Sequence, residues 1–145
     1  SDYSHTGIVR VHDSLPTVVH AVPGEGHDKA AAVKHESLAT FTQPSLATKV
    51  AVVRIKTGNP VSGQEASQKA YSYYCRHVPF DKAFDLRDTA ALYCTELIWQ
   101  AYRHAGLDLV DSQFDVLNTL FKPAGFILPS SLFYSPYVEV IAEYP

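Results

Sequence analysis

Apolar and β-branched residues recur in short runs near both ends of the chain and around residue 50. The runs predict four strands, over residues 5–11, 17–22, 49–56 and 137–144. Polar turn residues and Pro16 separate the first two runs, which therefore predict a β-hairpin. Because strands and helices are segregated more than they alternate, the pattern favours an α+β fold with an antiparallel sheet.

Two longer stretches between these runs carry a helical pattern. Residues 62–75 have helical composition, and residues 94–105 place apolar side chains at the i, i+3, i+4, i+7 and i+8 positions of one helical face. Gly106 is placed to end the second helix. Weaker patterns predict short helices over residues 36–40, 80–86 and 107–122, and a loop with a short apolar piece over residues 123–136.

Cys94 opens the more strongly periodic of the two helices, with its thiol in the first turn on the side that faces the core. The unpaired backbone N–H groups of a helix N-terminus carry partial positive charge, which favours a thiolate and stabilises a developing oxyanion. Cys94 is therefore a candidate nucleophile that needs a base from elsewhere in the fold. The plainer alternative is that it is a small buried hydrophobic residue.

The chain contains seven histidines, and two of them lie within predicted strands that pair. His5 and His20 belong to the two strands of the hairpin, so their imidazoles can meet on one face of it. Two facing imidazoles on a sheet that packs against the Cys94 helix would provide a base and a group that orients it. The sequence does not fix the register of the hairpin, and a structural role for each histidine stays open.

Composition limits the class of protein. The 145 residues, 46% hydrophobic and 19% charged, are ordinary for a single domain spanning 1–145. The net charge of -3 argues against nucleic acid as a partner, and no apolar stretch approaches the roughly 18 residues of an integral membrane segment. Cys75 and Cys94 do not make a disulfide framework. Since Ser1 lies a few residues before a predicted strand, we expect a preceding strand or turn, and any signal peptide, to lie outside this sequence.

Three short motifs surround the candidate residues: Ser4-His5-Thr6-Gly7-Ile8-Val9, Val18-Val19-His20-Ala21 and Tyr93-Cys94-Thr95-Glu96-Leu97-Ile98-Trp99. In this order and spacing they resemble the circularly permuted papain-like amidases of the NlpC-related superfamily, which includes YiiX-like and YaeF-like proteins. The segment Phe80-Asp81-Lys82-Ala83-Phe84 also resembles the one that precedes the nucleophile helix in that group. The resemblance spans residues 5–106 and implies a papain-like fold, with the antiparallel sheet packed against the helix that carries the nucleophile.

The resemblance also implies a role for each matching residue. Cys94 matches the nucleophile of that group, His5 matches its base, and His20 matches its third polar residue, where YiiX-like proteins commonly have Glu. A histidine at this third position is similar to the lecithin:retinol acyltransferase-like branch. Whether water or another molecule accepts the acyl group therefore stays open. Tyr93, beside the nucleophile, is a candidate for an oxyanion or substrate contact, with a packing role as the alternative.

The activity that the resemblance implies is that of a cysteine hydrolase, an amidase or peptidase that forms a thioester on Cys94 with His5 as base. The expected partners are cell-wall peptides, other amides or small molecules that carry an acyl group, and no cofactor is expected. The expected location is the bacterial cell envelope, the periplasm or the outside of the cell. The sequence does not predict an oligomeric state.

Two other classes of function stay open on the same residues. His5, His20 and Cys94 are legitimate zinc ligands, with Glu96 as a fourth, although the chain has no closely spaced ligand pair such as Cys-x-x-Cys. The same fold without catalysis would be a binding module, in which aromatic side chains line a ligand groove.

Overall fold

The computed structural model describes residues 2–24, 32–61, 63–115 and 125–145, and these residues form an α+β fold. Their elements follow in the order β1 (Ile8–His12), β2 (Leu15–Val22), β3 (Ala32–Ser37), α1 (Leu38–Phe41), β4 (Val50–Ile55), α2 (Gly63–Cys75), α3 (Cys94–His104), α4 (Pro129–Phe133) and β5 (Val138–Tyr144). Within these parts of the chain, no helix has the length and apolar character needed to cross a membrane.

Strands β1, β2 and β3 form an antiparallel sheet in that order. The predicted hairpin of β1 and β2 is confirmed, and its last pair joins His12 to Leu15. Asp13 and Ser14 form the two-residue turn with φ values of 50° and 64°. Positive φ at both central residues is what a type I′ turn requires, and this turn matches the twist of the two strands.

Strands β4 and β5 form a separate two-stranded antiparallel ribbon. Val50 pairs with Tyr144 and Ile55 pairs with Val138, so the ribbon joins segments far apart in the sequence. The two strands predicted over residues 49–56 and 137–144 are therefore confirmed, with ends that differ by one residue.

The hydrophobic core lies between the three-stranded sheet and helices α2 and α3, which also pack against each other. Val19 and Ala21 on β2 are fully buried, as are Leu97 and Ala101 on α3. Removing such side chains from water contributes about 25 cal/mol per Å² of buried apolar area. This packing holds the helix that begins at Cys94 against the strand that carries His20.

Helix α3 begins at the residue expected from the sequence and ends at His104, one residue early. Arg103 and His104 lie in its last turn, where positive charge suits the helix dipole. Gly106 follows with a φ of 103°, a conformation that favours glycine and ends the helix. The predicted helix over residues 62–75 is also confirmed, as α2.

The prediction of a helix over residues 80–86 is wrong, because the segment forms turns around a buried carboxylate. Asp81 is 3% exposed and accepts hydrogen bonds from the N–H groups of Ala83 at 2.9 Å and Asp85 at 2.7 Å. Phe84 has a φ of 51°, which interrupts any helical run. The Asp81 carboxylate therefore stabilises a loop here instead of a helix.

The third strand of the sheet was not expected from the sequence. Lys34, His35 and Glu36 are polar or charged residues that give β3 little strand signal. The strand forms because its backbone pairs with β2 along its whole length. The helix expected over residues 36–40 is shorter and later than predicted, because α1 begins at Leu38.

Helix α4 lies in a segment predicted as loop, and Pro129 stands at its start, where a proline is well tolerated. The helix predicted over residues 107–122 is absent from residues 107–115, which form turns. The rest of that prediction lies outside the described residues.

Candidate functional site

The two histidines singled out from the sequence are in direct contact. Nε2 of His5 lies 2.8 Å from Nδ1 of His20, and the two rings meet edge to face. His20 lies on β2 and is only 6% exposed. His5 lies in the extended segment before β1, because the first strand begins at Ile8 rather than at residue 5. The structure thus brings together the two imidazoles that the sequence placed on neighbouring segments.

Gly7 explains how the segment that carries His5 approaches β2 so closely. A Cβ atom at position 7 would overlap Cγ1 of Val18 and would lie 3.2 Å from Cβ of His20. Val18 and His20 point to the same face of β2, because side chains alternate along a strand. The chain before β1 crosses this face, and a residue without a side chain is needed at the crossing point.

Helix α1 places an aromatic ring against the pair of imidazoles. The centroid of the Phe41 ring lies 4.9 Å from that of His20 and 5.8 Å from that of His5. The hydroxyl oxygen of Ser37 caps this short helix by accepting a hydrogen bond from the N–H of Thr40. Because α1 follows β3 directly, the sheet positions an aromatic ring against the buried His20 and beside the exposed His5.

Two charged residues of β3 face His20. Lys34 pairs with His20 across the two strands, and Oε1 of Glu36 lies 2.9 Å from Nε2 of His20. Nε2 is buried, and in the described structure no hydrogen-bond partner is aligned with it. The Glu36 carboxylate is therefore close to Nε2 but lies off the direction of its N–H bond.

Burial lowers the pKa of His20 to about 4, and the positive charge of Lys34 acts in the same direction. The contact with the Glu36 carboxylate opposes this shift, but burial is the larger effect because the ring is almost wholly removed from water. His20 is therefore neutral at neutral pH, with one donor and one acceptor nitrogen. A neutral ring of this kind is suited to orient His5 rather than to take a proton.

Cys94 is the first residue of α3 and is half-buried. Burial raises the pKa of its thiol, while the backbone N–H groups of Thr6, Thr95 and Cys94 itself act to lower it. The helix N-terminus therefore acts on the thiol as expected, but burial outweighs it. The thiol keeps its proton at neutral pH, and a nucleophilic role requires a base.

Thr6 connects the two parts of the site. Its backbone N–H is close enough to Cys94 to lower the pKa of the thiol, and Thr6 directly follows His5 in the chain. Neighbouring Cα atoms are about 3.8 Å apart, so the candidate base is attached within one residue of the contact with the nucleophile. Since Nε2 of His5 is directed at His20, a proton transfer from Cys94 must use Nδ1 of His5.

Tyr93, the residue before the nucleophile, is 2% exposed. Its hydroxyl oxygen accepts a hydrogen bond from the N–H of Ile127 at 3.0 Å, and burial raises its pKa. The Thr95 hydroxyl donates to the carbonyl of the same Ile127 at 2.7 Å. These two hydrogen bonds connect the start of α3 to a distant part of the chain. A structural role therefore explains why Tyr93 is buried at this position. Its contact with an oxyanion or substrate stays a prediction.

Glu96 is fully buried in the first turn of α3. Its Oε1 accepts a hydrogen bond from the N–H of Tyr93 at 3.3 Å, and its Oε2 is without a hydrogen-bond partner within the described residues. Burial raises the pKa of Glu96 to about 8 against the effect of the Tyr93 bond, and the carboxylates of Asp81, Asp88 and Asp85 add to the rise. Glu96 is therefore mostly protonated at neutral pH.

A groove of about 740 Å³ opens beside the site. The segment of His5 and Thr6 forms part of its wall, and the largest contribution comes from residues 49–61, which include β4. The lining is mainly apolar and includes Ile8, Val18, Phe41, Ile98 and Tyr102. A groove of this size can bury the apolar part of a small substrate next to His5.

The residues considered as zinc ligands do not converge. Within residues 2–24, 32–61, 63–115 and 125–145, no three His, Cys, Asp or Glu side chains are grouped to hold a metal ion. His5 and His20 bind each other, and the Glu96 carboxylate is directed at the N–H of Tyr93. This donor set does not fit a tetrahedral zinc site.

Three contributors to the site escaped the sequence analysis. Thr6 lies inside the first motif but acts through its backbone, which leaves no trace in the residue type. Glu36 lies on a strand that the sequence did not predict, and Phe41 resembles any other core aromatic residue. The position of Glu36, two residues along β3 from the partner of His20, would have been a signal once β3 was known.

The fold and the site define an α+β protein with a cysteine at a helix N-terminus and a pair of histidines, one in the segment before β1 and one on β2. No family model matches the chain. It is 30% identical over 106 residues to the uncharacterized protein YiiX of Escherichia coli strain K12. That alignment covers 72% of this chain and 47% of YiiX, so the chain spans just under half the length of this relative.

A crystal structure of the metalloprotein YiiX from Escherichia coli O157:H7 has the same fold. It superposes with a TM-score of 0.78 over 99% of this chain and 84% of the YiiX chain, at 24% sequence identity. Likeness at this level of identity shows a shared arrangement of helices and strands, and it leaves the chemistry to the site itself.

Proposed function

We propose that this protein is a cysteine hydrolase of the circularly permuted papain-like, NlpC-related type, an amidase or peptidase that acts through a thioester on Cys94. The observation that carries the proposal is the 2.8 Å contact between His5 and His20, combined with the N–H of Thr6 at the sulfur of Cys94. These observations support a nucleophilic role for Cys94, a basic role for His5 and an orienting role for His20. The YiiX comparison supports the α+β arrangement of helices and strands on which the proposal builds.

The first half-reaction transfers the acyl group to the enzyme. The thiol proton of Cys94 moves to Nδ1 of His5 while the sulfur attacks the carbonyl carbon of an amide or ester. The backbone N–H of Cys94, at the start of α3, faces the developing oxyanion. The proton on Nδ1 then passes to the leaving nitrogen or oxygen, the bond from carbon to that atom breaks, and a thioester remains on Cys94.

The second half-reaction releases the acyl group. His5 takes a proton from a water molecule, whose oxygen attacks the thioester carbonyl. The carbon–sulfur bond then breaks and His5 returns the proton to the sulfur, which gives a free acid and the thiol. His20 accepts the Nε2–H of His5 throughout and keeps the ring in place. An amine or alcohol acceptor in place of water would make the protein a thiol acyltransferase, which is the alternative favoured by the histidine at position 20.

The apolar groove beside His5 supports substrates with an apolar acyl or side-chain portion. Cell-wall peptides, other amides and small acyl esters all present such a portion next to a scissile carbonyl. A location in the bacterial cell envelope or periplasm belongs to the same proposal. A catalytically inactive binding module would use this groove without acylating Cys94.

YiiX from Escherichia coli O157:H7 is described as a metalloprotein. For this chain we propose no metal in the reaction, because the described His, Cys, Asp and Glu side chains form no group of three that could hold one. Stoichiometric zinc that depends on His5, His20 and Cys94, measured in protein purified without metal-affinity steps, would contradict the cysteine mechanism.

The direct test is turnover of a panel of amides and activated esters by wild type and Cys94→Ala. We expect wild type to hydrolyse at least one class and to show the mass of the acyl group on the peptide that contains Cys94 after a rapid quench. Cys94→Ala should lose turnover by about 10³-fold or more, since the nucleophile is gone. Cys75→Ser, which removes an exposed thiol at the end of α2, should keep full activity.

Retention of turnover in Cys94→Ala would exclude the thioester mechanism. A wild-type protein that binds these compounds but never gains acyl mass would favour the binding module.

A further inference from the structure

Glu36 lies where its charge can act on both imidazoles of the site. Its Oε1 is 2.9 Å from Nε2 of His20, and Nδ1 of the same ring is 2.8 Å from Nε2 of His5. The three side chains form a row that ends in the segment whose next residue, Thr6, reaches Cys94. A carboxylate at one end of this row can therefore influence the nitrogen at the other end.

The influence follows from how neutral imidazoles share protons. A neutral ring carries a proton on one nitrogen and accepts a hydrogen bond on the other, whereas an ionised carboxylate only accepts. Glu36 therefore favours the His20 tautomer that is protonated on Nε2. Nδ1 of His20 then accepts from His5, so that His5 carries its own proton on Nε2 and presents Nδ1 as its basic nitrogen.

We infer that Glu36 is a positioning residue which, through His20, holds His5 in the tautomer whose Nδ1 accepts the thiol proton of Cys94, an assignment that rests on the proposed cysteine chemistry. The opposite tautomer of His20 would donate from Nδ1 to Nε2 of His5. The proton of His5 would then sit on Nδ1, and His5 could not act as a base.

The surroundings of His20 leave Glu36 as the group that selects the tautomer. Nε2 of His20 is buried, and no hydrogen-bond partner within the described residues is aligned with it, although Oε1 of Glu36 is 2.9 Å away. The Glu36 side chain is 30% exposed, so a small rotation can align its carboxylate with Nε2. Lys34, which pairs with His20 across the strands, offers only donors, and the Phe41 ring has no polar atom.

The tautomers can be measured by ¹⁵N NMR of the full chain labelled at histidine, because protonated and unprotonated ring nitrogens resonate far apart. We expect Nε2 to carry the proton in both His5 and His20 of the wild type at neutral pH. In Glu36→Gln the amide donates as well as accepts, and we expect the proton of both rings to shift towards Nδ1. Glu139→Gln removes the same charge from an exposed ion pair with Arg54 and should leave both tautomers unchanged.

A wild-type spectrum with the proton of His20 on Nδ1 would overturn the assignment, and so would a Glu36→Gln spectrum identical to that of the wild type. If Glu36→Gln does not fold, the wild-type spectrum alone tests the tautomer assignment.

The alkylation rate of Cys94 separates this assignment from the proposed function. At neutral pH we expect the rate to fall about tenfold in Glu36→Gln and to stay unchanged in Glu139→Gln, because partners that orient a reactive group commonly contribute 10- to 100-fold. If the tautomers depend on Glu36 but Cys94 is inert even in wild type, the cysteine chemistry fails and the tautomer assignment holds. If Cys94 is reactive and the tautomers do not depend on Glu36, the assignment fails and the cysteine chemistry holds.

Discussion

The burial of His20 determines which protonation states the site can use. With 6% of its surface exposed and a pKa of about 4, the ring is neutral over the range in which a thiol and a second imidazole exchange a proton. It does not form a full ion pair with Glu36 at neutral pH, so their contact is one between a neutral ring and a carboxylate. A neutral His20 is available to His5 as a hydrogen-bond partner and not as a second base.

Gly7 offers a test of how closely the N-terminal segment must approach β2. In Gly7→Ala the new Cβ would overlap Cγ1 of Val18, which is fully buried and cannot move away. We expect a loss of about 1–3 kcal/mol in the free energy of unfolding, measured by chemical denaturation, which is typical of overpacking. Because the same segment carries His5, the alkylation of Cys94 should slow as well.

Gly63→Ala is the matched control for this substitution. Gly63 opens α2, and a Cβ there would lie 3.6 Å from the hydroxyl of Tyr102, an ordinary contact. Alanine has the higher helix propensity, so this variant should be as stable as wild type or more stable. Equal stability of Gly7→Ala and wild type would show that the segment does not cross β2 as closely as described.

The first turn of α3 combines the candidate nucleophile with a buried acid. Cys94 receives backbone N–H groups from this turn, while Glu96 accepts the N–H of Tyr93 and leaves Oε2 without a hydrogen-bond partner within the described residues. A protonated Glu96 can remain in this apolar setting, whereas an ionised one is unfavourable there. The start of α3 should therefore be sensitive to alkaline pH.

The raised pKa of Glu96 predicts how the free energy of unfolding changes with pH. Its pKa is about 8 in the fold against an ordinary value of 4.5, so between these values the folded chain holds a proton that the unfolded chain has lost. The free energy of unfolding should therefore fall as the pH rises from 4.5 to 8. One pKa unit of difference is worth about 1.4 kcal/mol, so the loss amounts to a few kcal/mol. Glu96→Gln should remove most of this slope.

Glu65→Gln provides the comparison, because Glu65 is exposed in the first turn of α2. It should change stability by only a few tenths of a kcal/mol and keep the pH dependence of wild type. Denaturant unfolding at several pH values measures both variants. A wild-type protein whose stability does not decline over this range would mean that Glu96 is ionised or solvated in the fold.

Across the whole chain, the sequence predicts those elements whose pattern comes from local residue types. The hairpin of β1 and β2 and the helix α3 carry strong apolar periodicity, and both form near their predicted bounds. Strand β3 has a polar sequence and forms because β2 offers a partner for its backbone. Residues 80–86 look helical but fold into turns around the Asp81 carboxylate, which is an effect of side-chain hydrogen bonds that periodicity does not record.

The candidate site also has a part that the sequence predicts and a part that it does not. His5, His20 and Cys94 could be named from the sequence because they are reactive residue types in motifs of known order. Their arrangement could not, because the approach of Thr6 to Cys94 depends on how α3 packs against the N-terminal segment. The contact with Glu36 depends on the strand that the sequence did not predict.

At the scale of the whole molecule, the central proposal is that His5 activates Cys94. The most direct measurement is the pH dependence of Cys94 alkylation by iodoacetamide in wild type and His5→Ala, followed by mass and peptide mapping. Burial raises the pKa of the Cys94 thiol, so without a base the thiol stays protonated at neutral pH.

We expect wild type at neutral pH to react about 100-fold faster than His5→Ala, with the difference narrowing as the pH becomes alkaline. The exposed Cys75 serves as an internal reference and should react equally in both proteins. Superimposable pH profiles for Cys94 in the two proteins would contradict the claim and leave the histidine pair with a structural role.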